Sequence, residues 1–194
     1  MHRSPPAPRC DLMARAKAFI ADENGYSRLA AAGYEAALQS DPADIEARVN
    51  LAVLYWEATR FCFDARPSEF SAHARGRLHE LLESAADRFG GRPEIRFWRE
   101  YIAAEEAGEP LPSATCRELM NERPDYLEPA FVMFSNSEGL EAEPEAMRLL
   151  AACSEQPTAR ARYVTSMINT ALRKQRWSWV DPTPLDVTFV GDLG

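Results

Sequence analysis

The run His79-Glu80-Leu81-Leu82-Glu83 has the residue types of a catalytic metal helix. Zinc-protease helices set two histidines one turn apart, with a glutamate next to the first to activate water. Here Glu83 stands where the second histidine is needed. The chain holds three histidines in 194 residues, and no third ligand is evident in the sequence. The run therefore reads as a helix face with an i,i+4 His–Glu pair, and neither a metal nor another cofactor is expected. An α-helical enzyme using His73, His79, Glu80 and Glu83 is kept as the third of three functional readings.

Nucleophilic chemistry needs a Ser or Cys within reach of a base, and commonly a strained turn to present it. No serine lies in a GxSxG turn. Cys10, Cys62, Cys116 and Cys153 stand more than thirty residues apart with no CxxC pair, so they read as thiols in a reducing compartment. Neither a P-loop nor a GxGxxG is present. The acidic run Glu138, Glu141, Glu143, Glu145 suits a solvated loop and the positive end of a helix. No catalytic residue is assigned, and the expectation is a protein that is not an enzyme.

Charge narrows the partners. A net charge of −8 and a pI near 5.0 disfavour a phosphate backbone, since nucleic-acid affinity comes largely from clustered cations. With 46% apolar and 27% charged residues, the composition is that of a globular protein rather than a disordered one. No run reaches the roughly 18 apolar residues of a membrane span, and MHRSPPAPRC is followed by no signal-type apolar block, so a cytoplasmic location is expected. Lys17 and Lys174 are the two lysines among 22 basic residues, which points to a GC-rich bacterial source.

Helices must position whatever site exists. A leader at 1–10 carries Pro5, Pro6 and Pro8. Leu12, Ala16, Phe19 and Ile20 then mark one face of a helix with Asp11 as N-cap. Leu29, Ala30, Gly33, Tyr34, Ala37 and Leu38 mark the next, which ends at Asp41-Pro42 because a residue before proline leaves the α region. Pro42, Pro93, Pro124 and Pro157 are separated by 51, 31 and 33 residues, and Gly108 and Gly139 each lie 15 residues after a proline. These marks predict helical hairpins at 11–41, 44–90, 93–123 and 124–156, with an insert at 60–67 that includes Phe61, Cys62 and Phe63. The helix after the insert should be the longest. A last helix near 158–175 would cover the end of the stack, followed by an extended tail at 177–194.

Over residues 25–56 the sequence resembles a tetratricopeptide repeat (TPR). Gly25 falls at that family's inter-helix turn. Ala30, Tyr34, Ala37, Leu38 and Pro42 match its second helix; Glu46, Ala47, Asn50, Leu51, Ala52 and Tyr55 match the first helix of the following unit. The resemblance implies an all-α fold of stacked antiparallel hairpins, a TPR-like superhelix with about four hairpins over residues 11–176. It also implies a concave face that binds a protein or peptide partner through Glu46, Val49, Asn50, Val53, Trp56 and Glu57. The family's carboxylate clamp is not implied, because Arg15 and Phe19 occupy its lysine and asparagine places. The leading expectation is therefore an interaction module. The second is a helical chaperone or regulatory subunit that uses the Phe61-Cys62-Phe63 insert or the C-terminal tail to dimerise or to hold a secreted client; the tail itself reads either as lying over the last hairpin or as a segment that enters a groove, its own or a neighbour's.

Overall fold

The computed structural model describes residues 9–60 and 68–178, in which every regular element is an α-helix. Eight helices follow one another as pairs: α1 (Arg9–Glu23) with α2 (Ser27–Ser40), α3 (Ile45–Arg60) with α4 (Glu69–Phe89), α5 (Pro93–Ala107) with α6 (Ser113–Glu122), and α7 (Pro129–Asn136) with α8 (Glu143–Glu155). The two members of each pair pack on each other, and α9 (Ala159–Ser178) follows. The pairs coincide with the four expected hairpins, apart from the start of α1 at Arg9, which leaves Asp11 inside the helix rather than at its cap. The longest helix is α4, with 21 residues. Residues 1–8 of the expected leader, the insert at 61–67 and the tail beyond Ser178 lie outside the described residues.

The turns have local causes. Gly108 ends α5 at φ +72°, and the N–H of Glu109 reaches the Ala104 carbonyl at 2.9 Å. A side chain is strained in that left-handed conformation, so glycine is the residue that fits. Gly25 and Gly139, the other glycines expected at hairpin turns, share the sign of φ. Asp41 and Arg123 are extended ahead of Pro42 and Pro124, as the proline ring demands.

Small residues fix the first hairpin. A Cβ added to Gly33 would stand 2.7 Å from that of Ala18, so α1 and α2 approach almost backbone to backbone. This contact turns α1 away from its expected face. Ala18, Ala21 and Asp22 go inside, whereas Ala16 is exposed and Ile20 is 60% exposed. Leu29, also expected inside, is 64% exposed. Large side chains do not fit between helices held this close, and they turn outward.

The chain's centre is α3. Residues 47–56 are buried at every position, because α3 packs against α2, α4, α5 and α9. The contact with α9 was not expected. The last helix packs on α7 and α8, as a terminal cover would, and also reaches back to α3.

Candidate functional site

Two places in the fold have the features of a site: the junction where α9 meets the earlier helices, and an open groove on the first hairpin.

At the junction the aromatic residues of four helices meet. Trp56 of α3 lies 5.0 Å from Tyr163 of α9 and 5.8 Å from Tyr101 of α5, centroid to centroid, and Tyr101 lies 5.2 Å from Phe131 of α7. The Tyr101 and Tyr163 hydroxyls share a hydrogen bond at 2.5 Å. All four rings are buried, so they act as core, with edge-on pairs typical of aromatic packing.

Around this core runs a chain of charges. Asp22, 1% exposed, accepts from the Ala159 backbone N–H at 2.7 Å, from the Tyr34 hydroxyl at 3.0 Å and from Arg162 at 3.2 Å. Burial pushes its carboxyl above the usual range, while the donors draw it back down. Arg160, the second residue of α9, joins Glu46 at 2.7 Å to Glu128 at 3.3 Å. Glu128 accepts in addition from the Trp98 indole at 2.6 Å and the Tyr126 hydroxyl at 2.8 Å. The start of α9 is thus held by a carboxylate from α1 and a guanidinium bridge between α3 and the α7 entry. An anion at a helix N-terminus meets both free N–H groups and the positive end of the dipole.

Of the six residues expected to hold a peptide, four are core. Val49, Asn50, Val53 and Trp56 are each at most 1% exposed. Their helix is covered on all sides, so they offer no open concave face. Glu46 and Glu57 are half-buried; Glu46 is engaged by Arg160, and burial near Asp22 pushes the Glu57 carboxyl up to about 7. Asn50 stands apart: both its side-chain amide atoms are buried without a hydrogen-bond partner.

The second place is open. Between α1 and α2 lies a cavity of about 770 Å³ with a floor of Ala14, Ala18, Ala21, Ala32, Gly33 and Ala36. Met13, Ile20, Tyr26 and Leu29 rise around it, exposed by 60 to 64%. They are four of the five large apolar side chains that stand exposed among the described residues; the fifth, Leu140, is alone on a loop. Lys17 is the charged residue among those lining it. Large exposed apolar side chains are thus concentrated on this one face of the first hairpin.

The chain matches no protein-family model, no curated protein and no solved structure. The reading of function therefore rests on the geometry of these two places and on the chemistry of the remaining candidates. His79 and Glu83 are exposed on α4, and Glu80 pairs with Arg77. Among the described residues, no three His, Cys, Asp or Glu side chains converge as metal ligands would. Burial pushes the Cys116 thiol up to about 12 and Cys153 to about 11, which keeps both protonated and poor as nucleophiles. No described helix is long and apolar enough to cross a membrane.

Two features went unseen in the sequence. Asp22 had a signal, since it extends the small-residue stripe Ala14, Ala18, Ala21 that faces inward, and an acid on a buried face needs partners. The groove had none that periodicity could read, because Ile20 and Leu29 fit an inward stripe equally well.

Proposed function

We propose that this protein is a non-enzymatic interaction module of TPR-like build, which docks an apolar segment of a partner protein, such as one face of an amphipathic helix, in the groove between α1 and α2. The observation that carries the reading is the placement of Met13, Ile20, Tyr26 and Leu29 around a floor of small residues. Large side chains from a partner would enter the floor, and the surrounding four would close over them. Hairpins in the expected phase, with left-handed turn glycines at positions 25, 108 and 139, support the TPR-like build. α9 packs on α3, the helix whose residues were expected to line the groove, and the first hairpin offers the open apolar surface instead.

The test compares the wild-type chain with Ile20→Glu and Leu29→Glu in affinity capture from the source cells. Both positions are exposed, so thermal stability should stay within about 0.5 kcal/mol of wild type. A specific partner should be recovered with wild type and lost with both variants. Equal recovery from all three would remove the groove from the interaction.

The same exposed face supports a second reading, a helical subunit that dimerises or holds a client chain. Light scattering separates the two: a dimer of wild type that becomes monomeric with Ile20→Glu favours the second.

A further inference from the structure

We infer that the groove between α1 and α2 is the docking place of this chain's own segment 188–194, so that the segment competes with any partner for the same surface. The inference rests on the reading of that groove as a docking site.

Size argues for a segment over a second copy. Two helices of about 15 residues present a face near 22 Å by 20 Å, well under the roughly 800 Å² per partner of a standard stable interface. Two chains of charge −8 also repel each other. A single extended strand or short helix matches that area.

The chemistry of the segment fits. Phe189, Val190 and Leu193 supply apolar side chains for the small-residue floor. The sixteen residues after Ser178 carry Asp181, Asp186 and Asp192 and no Lys, Arg or His, and the groove's charged lining residue is Lys17. Acid therefore meets base, and no acid of the segment meets an acid in the lining.

The reach is sufficient. The N–H of Ala159, at the start of α9, lies 2.7 Å from the carboxylate of Asp22, which neighbours the groove residue Ala21. Ser178 is then about 28 Å further along the helix. Sixteen extended residues span up to about 53 Å. About nine of them cover the return, and Thr188–Gly194 remain to lie along the groove, with Phe189 and Val190 among them.

The experiment uses the 194-residue chain with a photoreactive benzoylphenylalanine in place of Phe189. After illumination, the cross-linked residues are mapped by mass spectrometry. Cross-links within one chain to residues of α1 and α2, at a yield independent of protein concentration, are the expected result. Ile20→Glu and Leu29→Glu should each lower the yield about tenfold. Lys17→Glu should lower it about threefold, as an exposed charge pair allows. Cross-links elsewhere in the chain overturn the inference. Cross-links between two chains overturn it as well and make a second copy the occupant. If position 189 cross-links elsewhere while the groove variants still abolish partner capture, the groove keeps its function and only the self-docking fails. If the groove variants alter neither cross-linking nor capture, both readings fall.

Discussion

The carboxylate of Asp22 accepts the backbone N–H of Ala159 at 2.7 Å, joining the first helix to the first residue of the last across 137 positions of sequence. With Tyr34 and Arg162 on the same carboxylate, the contact closes the chain of hairpins on itself. Replacing Asp22 by Ala leaves two buried donors, the Ala159 N–H and the Tyr34 hydroxyl, without an acceptor, while Arg162 keeps the backbone carbonyls of Asp22 and Pro157. Asp22→Ala is expected to destabilise the fold by about 2–4 kcal/mol in urea denaturation, and Asp22→Asn by less, because one acceptor oxygen remains. A loss under 0.5 kcal/mol for Asp22→Ala would mean that the closure contributes little.

Glu57 makes stability depend on pH. Its carboxyl is raised by burial from 4.5 to about 7, so the unfolded chain ionises it first as pH rises. Between pH 4.5 and 7 the unfolded state thus binds fewer protons than the native one, and stability falls; above 7 the cost is complete. Glu57→Gln should therefore stabilise the protein at pH 8, by about 1 kcal/mol, and have little effect at pH 4. Thermal midpoints of the two proteins at both pH values test this, and a stabilisation that is equal at both contradicts it.

Trp56 was expected as a binding anchor and is a core residue with 0% exposure. Trp56→Ala should cost about 3–5 kcal/mol, a large part of a typical domain's stability. Denaturation measured by circular dichroism will show it. A stable Trp56→Ala protein with weakened partner binding would restore the original expectation.

Gly33 has no room for a side chain. Its added Cβ would meet both the Cβ of Ala18, at 2.7 Å, and the Ala18 backbone, at 3.0 Å, so Gly33→Ala must push α1 from α2. The expected loss is about 1–3 kcal/mol, even though alanine is the better helix former. Amide exchange in α1 should speed up with it, and a more stable Gly33→Ala protein would deny the close approach.

Asn50 is 0% exposed, and neither end of its amide has a partner. Burying an unpaired amide costs on the order of 1–3 kcal/mol, so Asn50→Leu, which keeps the number and branching of side-chain heavy atoms, should raise the stability by about 1 kcal/mol. A destabilised Asn50→Leu protein would show that the amide is satisfied in solution.

The phase of the hairpins was legible in the sequence because it is written in local chemistry. Proline excludes the α region from the residue before it, and glycine alone takes a left-handed turn without strain. Pro42, Pro124, Gly25, Gly108 and Gly139 therefore mark boundaries whatever the tertiary structure does.

What faces what was decided only in three dimensions. The stripes containing Ile20 and Leu29 could point inward or outward with the same spacing; the contact of Gly33 with Ala18 turned them out and made the groove. The residues at 46, 49, 50, 53, 56 and 57 share a helical face, but sequence spacing holds no record of which later helix covers it. That depended on Asp22 and Glu46 meeting Ala159 and Arg160, contacts between positions more than a hundred residues apart. Local rules fix where a helix begins and ends, and packing over such distances fixes which of its faces remains open.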